Sequence, residues 1–375
     1  MTSLVILYYY LKIRLPISIS LRTFLNMPLF ILSQGGKMNN ILLNDKLRQK
    51  ILEEEFEDIF GQDKVKKELK SALIMDRHII LVGSPGIGKT TLAKNVARIL
   101  PEIDVNDCGF NCLPVNPICP ECISKKTVKK KSIEGFERFV RIQGSPDLTA
   151  EDLLGDIDPI KAMKFGPLSI EAFTPGKIFR ANNGILFFDE INRCSEKLQN
   201  ALLQVLEEKR VTIGAYNIDF PAEFIFIGTM NPEDSSTEPL SDVFLDRFDV
   251  ITMEYPETSE IEKQIVLIKG KKISEIEFAD ELIDTVIKFI RDLRIDQNID
   301  KKPSVRSSIG IYERAQAYAF LSGHKSVTMD DIKQIMISVL SHRIKLKPSI
   351  KYLETAEKYL EQEFSKIKQR KSGLT

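Results

Sequence analysis

The sequence predicts an α/β fold, a parallel sheet covered by helices and followed by a separate helical domain, and three stretches of its 375 residues carry that prediction. The apolar run His78-Ile79-Ile80-Leu81-Val82 leads into Gly83-Ser84-Pro85-Gly86-Ile87-Gly88-Lys89-Thr90, and a helix-like segment follows from Thr91 to Leu100. A second unbroken apolar run, Gly184-Ile185-Leu186-Phe187-Phe188, ends in Asp189-Glu190. After Pro256 the strand-like runs stop and helical periodicity continues to the end of the chain. Continuous hydrophobicity suits strands covered on both faces, as parallel strands are. The change from mixed to helical patterning marks a domain boundary.

Taken in order, residues 1–40 read as an extension outside the fold. Leu4 to Leu11 are apolar, Lys12, Arg14 and Arg22 then interrupt, and no acid occurs before Asp45. A spanning helix needs about 20 mostly apolar residues, and apolar before basic is the wrong order for a secretory signal. Two readings stand, an organellar transit peptide and a poorly ordered extension upstream of a start at Met38; the second is preferred. Residues 41–256 form the expected nucleotide-binding domain. Ile41 to Met75 has helical spacing, with Phe56, Ile59 and Phe60 before Gly61-Gln62-Asp63 and with Val65, Leu69 and Leu73 after. Strand one is His78–Gly83, and the helix behind it ends near Leu100-Pro101, because proline lacks the N–H donor. Arg138–Ile142 reads as a second strand. A long excursion through Asp147, Asp152, Asp156 and Asp158 follows, with a short hairpin expected over Pro167–Phe173. Ser195–Glu208 is amphipathic through Leu198, Leu202, Leu203 and Leu206, and Arg210–Phe220 reads as a hairpin around Gly214-Ala215-Tyr216-Asn217. Glu223–Gly228 is a buried strand ending at Thr229-Met230-Asn231-Pro232, and Val250–Tyr255 is the last one. In the second domain, 257–375, helices are expected near 257–269, 279–294, 305–322, 328–342 and 351–369.

Charge is balanced, with 53 basic and 53 acidic residues, so no global field argues for nucleic acid or a membrane surface. Five cysteines in a long Lys/Glu-rich chain do not read as a secreted disulfide scaffold. We read the compartment as reducing and cytoplasmic.

The chemistry starts at the GxxxxGK[ST] spacing of residues 83–90, the phosphate-binding P-loop in its strand–loop–helix context. Glycines let the backbone wrap closely around phosphate, and loop N–H groups with the helix N-terminus make an anion site. The expected nucleotide contacts are Gly83, Ser84, Pro85, Gly86, Ile87, Gly88, Lys89, Thr90 and Thr91. Lys89 reaches the β- and γ-phosphates, and the Thr90 hydroxyl holds Mg²⁺. The competing reading, a glycine-rich turn without a ligand, does not account for the full spacing. Asp189 and Glu190 sit at a strand's C-terminal end, where ligands bind in open α/β sheets. Asp189 is expected to hold Mg²⁺ and Glu190 to position the attacking water. The alternative is two solvated acids before a helix N-terminus. Asn231 can hydrogen-bond the lytic water or the γ-phosphate. Arg193, Arg247 and Arg306 are the candidate cations for the charge of phosphoryl transfer.

Cys108, Cys112, Cys119 and Cys122 fall within fifteen residues, with Pro114, Pro117 and Pro120 between them. Four thiols so placed can converge on one tetrahedral Zn²⁺ with no open position, hence a structural site. An iron–sulfur cluster takes four cysteines as well, and four unligated thiols or a redox pair remain as further readings. The basic run Lys125 to Lys131 reads as a solvated face.

The ordered set GSPGIGKT, FFDEIN, GTMNPED, FLDRFD and SVRSS resembles AAA+ ATPases over about residues 53–345. The likeness is greatest to the helix-2-insert clade with the magnesium-chelatase I subunit and the MoxR-type ATPases. The resemblance implies a P-loop AAA+ three-layer domain with a five-stranded parallel sheet, a helical lid, and a ring of about six subunits, expected to be a hexamer. It implies that Asn231 is sensor 1, that Arg247 is an arginine finger acting on a neighbour's nucleotide, and that Arg306 is sensor 2, with Arg314 as fallback. Residues 147–180 then correspond to the helix-2 insert and 210–220 to the pre-sensor 1 hairpin. The cysteine-rich insert, 104–132, has no family-wide role we can assign. Three functions follow: an ATP-hydrolysing ring motor that remodels a protein or metal-insertion complex, a DNA translocase like the MCM helicases, and a nucleotide-gated binding module without turnover. Only Arg210 is basic on the hairpin, which disfavours DNA. The presence of both Asp189 and Glu190 disfavours the module without turnover.

Overall fold

Apolar runs without polar interruption have no face to offer water, and this computed structural model buries them in one sheet. It describes residues 45–124, 128–166, 169–213, 218–232 and 240–372. The leader 1–40 and the hairpin tip 214–217 lie outside the described residues. The sheet strands are β1 (His78–Val82), β4 (Phe139–Gln143), β7 (Gly184–Asp189), β10 (Phe224–Met230) and β11 (Phe248–Thr252). They lie in the order β11-β1-β10-β7-β4, every pair parallel. The side chains of Ile79–Leu81, Ile185–Phe188, Phe226 and Ile227 are fully buried, so both faces are covered. That is why these strands show no alternation in sequence.

Numbering the helices of nine residues or more, α1 (Asp45–Glu53) and α2 (Asp63–Ile74) precede β1, α3 (Lys89–Ile99) follows it, and α4 (Glu196–Glu208) follows β7. α2 packs on β1 and β11, and α3 packs on β7 and β10. The helical stretch expected over 41–75 is therefore two helices; Phe56, Gly61 and Gln62 take positive φ between them. Phe56 is fully buried, which fixes that break by packing. The last strand also starts earlier than 250, because Phe248 pairs with His78 and packs on Phe226 and Phe244.

Three antiparallel pairs decorate the sheet. β2 (Ile103–Asn106) pairs with β3 (Lys130–Ile133) and brackets the cysteine-rich loop. β5 (Gly155–Ile157) pairs with β6 (Phe173–Pro175) across a short helix, Pro159–Phe165. The local hairpin expected at 167–173 is corrected accordingly: Phe173 closes onto Ile157, and residues 167–168 lie outside the described set. Local Gly and Pro signals had marked the turns but not the partner strand. Gly155, with φ of +104°, sits where a Cβ would fall 2.4 Å from the Thr174 carbonyl, so the pair closes only on glycine. β8 (Arg210–Ile213) and β9 (Ile218–Pro221) form the expected hairpin.

The C-terminal region holds α5 (Ser259–Lys269), α6 (Asp280–Ile295), α7 (Val305–Leu321), α8 (Met329–Leu340) and α9 (Ala356–Ser372). It also contains one short antiparallel pair, β12 (Ile299–Lys301) with β13 (Lys345–Leu346). Glu262 of α5 is fully buried and held by Arg294 of α6 at 2.6 and 2.7 Å and by the Ser308 hydroxyl of α7 at 2.5 Å. A buried carboxylate needs all these donors. The guanidinium of Arg294 also stacks 4.7 Å from the Tyr255 ring, at the junction with the sheet domain.

Candidate functional site

β1 and its glycine loop create the site. The Gly83 N–H donates to the Met230 carbonyl at 3.2 Å, and the Met253 N–H donates to Val82 at 2.7 Å, so the loop leaves the sheet between two strands. Gly86 and Gly88 have φ of +79° and +107°. α3 starts directly at Lys89, whose ammonium donates to the carbonyls of Gly83 and Ser84. Over this loop lies Arg306, in the first turn of α7: a Cβ on Gly86 would fall 2.8 Å from the Arg306 Cγ.

A cleft of about 580 Å³ opens here. Gly86 to Thr91, Asp189, Glu190, Asn231 and Arg306 all line it. Asp58, Ile59, Phe60, Gln62, Pro256, Ile265 and Ile309 add a partly apolar side. The Asp58 carboxyl is held below the usual carboxylate range by hydrogen bonds from Lys269 of α5 and Arg98 of α3. One acid thus joins the P-loop helix to the first helix after the sheet.

The acid pair is gripped from both neighbouring strands. The buried Thr229 hydroxyl donates to Asp189 Oδ1 at 2.7 Å and accepts from the Glu190 N–H at 2.9 Å. From β4, Arg141 donates to Asp189 Oδ2 at 2.5 Å and Gln143 donates to Glu190 Oε2 at 3.0 Å. Arg193 lies 3.3 Å from the same carboxylate oxygen. Glu190 takes φ 57° and ψ 53°, a left-handed conformation rare for a side-chain-bearing residue and common where function demands a fixed direction.

Arg247 stands apart from this cleft. It pairs with Glu207 of α4 and Asp246, and its side chain remains about one-third exposed (34%). Arg314 is exposed two turns beyond Arg306 and does not line the cleft. Sequence reasoning missed Thr229, Arg141 and Gln143 as site residues. A hydroxyl within the β10 apolar run, and polar residues two apart on β4, were the only signals.

The second cluster is the thiol group. The sulfurs of Cys108, Cys112, Cys119 and Cys122 lie within 4.8 Å of one another, and the last three residues are buried. The Ile118 and Cys119 N–H groups donate to Cys112 Sγ at 3.3 Å, and Cys122 N–H donates to Cys119 Sγ at 3.4 Å. Hydrogen bonds from Cys112 and Cys119 hold the Cys108 thiol down, while the hydrogen bond with Cys108, helped by burial, pushes Cys112 up to about 12. Cys194 is buried elsewhere and all five cysteines are free thiols. Among the described residues, no helix is long and apolar enough to cross a membrane.

Three family descriptions match the chain: "ATPase family associated with various cellular activities (AAA)" over residues 119–251, "AAA lid domain" over 292–363, and "Magnesium chelatase, subunit ChlI" over 55–133. The magnesium-chelatase subunit ChlI homolog of Methanocaldococcus jannaschii is 31% identical over 331 residues, covering 78% of this chain and 86% of the relative. The ChlI subunit of Guillardia theta is 29% identical, covering 78% of this chain and 90% of the relative. Among solved structures, a cryo-EM-based complex of subunits BchI and BchD of magnesium chelatase aligns with a TM-score of 0.43. Its identity is 23%, covering 81% of this chain and 98% of that one.

Proposed function

As this chain belongs to the AAA+ ATPases of the magnesium-chelatase ChlI type, we propose that it hydrolyses ATP in a Mg²⁺-dependent cycle, as a hexameric ring that remodels a protein or metal-insertion complex. The observation that carries this reading is the convergence of the Lys89 loop, the Asp189–Glu190 pair, Asn231 and Arg306 on one cleft. A hydroxyl and a carboxylate are hard oxygen donors and fit Mg²⁺. Thr90 and Asp189 would hold the ion, which supplies charge neutralisation for the β- and γ-phosphates. The loop N–H groups and Lys89 bind and orient the triphosphate. Glu190, fixed in direction by Thr229 and Gln143, accepts the proton of the attacking water. Asn231 orients that water or the γ-phosphoryl group, and Arg306 reaches across from the helical region to the phosphates.

Arg247 acts on a neighbouring subunit's nucleotide in this reading, which is in keeping with its place outside its own cleft and its part exposure. Domain limits of 41–256 and 257–375 follow from the junction at Pro256. The four clustered thiols form a structural metal site, for which zinc is the fitting ion, and free thiols suit a reducing cytoplasm. The relatives named as magnesium-chelatase subunits suggest that this ring too works with further chains. Turnover measured in wild type and in Glu190→Gln tests the central claim. Hydrolysis lost with ATP affinity kept supports it; unchanged hydrolysis refutes it. Proteins retained by Glu190→Gln in ATP then identify the client.

A further inference from the structure

We infer that Cys108, Cys112, Cys119 and Cys122 bind one Zn²⁺ as a mononuclear site, and that the metal holds Phe110 and Asn111 against the roots of β7 and β10. This rests on the reading of the thiols as a metal site, narrows it to one ion, and gives that ion a task in the ATPase domain.

The nuclearity follows from the sulfur spacing. Four sulfurs each about 2.3 Å from Zn²⁺ stand about 3.8 Å apart at the corners of a tetrahedron. Here all four lie within 4.8 Å of one another, so less than about an ångström of contraction per pair closes the site. An iron–sulfur cluster places its thiolates on different irons with sulfide between them, which spreads them further than one ion does. Three backbone N–H groups aim at the sulfurs of Cys112 and Cys119. Sulfur is a weak acceptor as a thiol, whereas a thiolate on a metal needs such donors around it. Binding converts four thiols to thiolates, releases their protons to solvent, and leaves the site with two negative charges. Lys131, on the outgoing side of the same loop, pairs with Asp107 beside Cys108 at 3.3 Å.

The task follows from what the loop touches. Among its described residues, the regular elements are a Leu113–Asn116 bridge and one helical turn, Pro120–Ser124. Its tip nevertheless engages the polypeptide that feeds the catalytic strands. Asn182 Nδ2 donates to the Phe110 carbonyl at 3.2 Å, and Asn183 Nδ2 donates to the Asn111 carbonyl at 3.3 Å. Asn111 in turn donates to the Arg180 carbonyl at 2.8 Å. Asn182 Oδ1 accepts the Glu223 N–H at 2.9 Å, and Asn183 N–H donates to the Glu223 carbonyl at 2.6 Å. Gly184 starts β7 and Phe224 starts β10. The two asparagines therefore tie the thiol loop to the first residues of both strands, and the Phe110 ring packs on Phe179 and Phe220 at 4.8 and 5.3 Å. A loop with so little structure of its own holds that position through a crosslink.

The test uses the full chain. Elemental analysis of protein purified without added metal should give one zinc per chain. Exchange with Co²⁺ should give the intense visible absorption of a tetrahedral tetrathiolate. Iron with acid-labile sulfide, or four titratable thiols with no metal, overturns the site. The clamp is read by amide hydrogen exchange at Asn183 and Glu223. Cys119→Ser should lose the zinc and speed exchange there roughly tenfold, and Asn182→Ala should speed it to a similar degree while keeping the zinc. Zinc present and lost in Cys119→Ser with exchange unchanged in that variant refutes the clamp and leaves the site standing. Neither readout needs ATP turnover, so failure here is distinguishable from failure of the ATPase reading.

Discussion

Thr229→Val removes one hydroxyl and nothing else of size from the centre of the proposed catalytic site. That hydroxyl is fully buried, donates to the Asp189 carboxylate at 2.7 Å and accepts the Glu190 N–H at 2.9 Å. A hydrogen bond to a charged acceptor contributes about 1.5–3 kcal/mol, and a neutral one about 1 kcal/mol. The substitution should therefore lower stability by about 2–4 kcal/mol, read as a drop in urea midpoint. The second effect is on direction. Glu190 is held at φ 57°, and a side-chain-bearing residue in such a region carries about 1–3 kcal/mol of strain. Without the Thr229 anchor that strain can relax, and 1–3 kcal/mol on the barrier is a factor of about 5 to 150 in kcat. ATP affinity, which depends on the Lys89 loop, should stay within about twofold. Thr229→Ser keeps both bonds and should restore turnover. A lowered urea midpoint with unchanged kcat would show the hydroxyl to be structural only, and the argument about Glu190 would fall.

Three further outcomes follow from the same geometry. His78, packed among Phe224, Phe226 and Phe248, has its pKa lowered by burial from 6.5 to about 4, and its Nδ1 accepts the Phe226 N–H at 3.2 Å. A depressed pKa means the unfolded chain binds the proton first as pH falls. The stability is whole above pH 6.5 and drains away down to about pH 4, by about 3 kcal/mol in all; urea midpoints across that window should be flatter in His78→Asn by this amount. Arg306→Ala should weaken ATP binding about 10- to 100-fold through one lost charge-assisted contact, measured by isothermal titration, whereas Arg314→Ala should leave it alone; the reverse pattern would move the sensor role to Arg314. Arg247→Ala and Glu190→Gln should each be inactive alone and regain turnover when mixed, because a mixed ring can place an intact Glu190 beside an intact Arg247; no recovery in a demonstrably mixed assembly would sink action in trans.

What the sequence showed and what it hid divide along one physical line. The Lys89 loop and the Asp189–Glu190 pair are local: a few consecutive residues carry both the backbone geometry and the chemistry, so spacing alone finds them. The three central strands, β1, β10 and β7, were legible because burial on both faces leaves an unbroken apolar run, as in Ile185–Phe188, whereas the edge strands β4 and β11 carry polar residues and show only a weaker signal. Arg141 and Gln143 were not legible as site residues, since their meaning depends on β4 lying beside β7 with Gln143 opposite Asp189. Thr229 is hidden for the same reason, through β10 on the other side of β7. The pairing of β5 with β6 was missed because the glycines that permit it say where a chain turns and not which segment it meets. Arg247 was marked by its motif, and among the described residues its partners are Glu207, Asp246 and the Val243 carbonyl.

The partners of the central groups also bear on how the site would work. Asp189 already receives Thr229 and Arg141, Glu190 receives Gln143 and Arg193, and Lys89 is bound to two loop carbonyls. A nucleotide with its metal would therefore exchange partners and would not meet bare charges. A divalent ion held by Thr90 and Asp189 would compete with Arg141 for that carboxylate, and Arg141, which lines the same cleft, would be at hand for phosphate charge. Lys89 would likewise trade two neutral carbonyls for phosphate oxygens at a site whose loop is already folded around it. Glu190, whose partners Thr229 and Gln143 would stay in place, would need little reorganisation when the charge arrives, and that is the condition under which electrostatic stabilisation of phosphoryl transfer is largest.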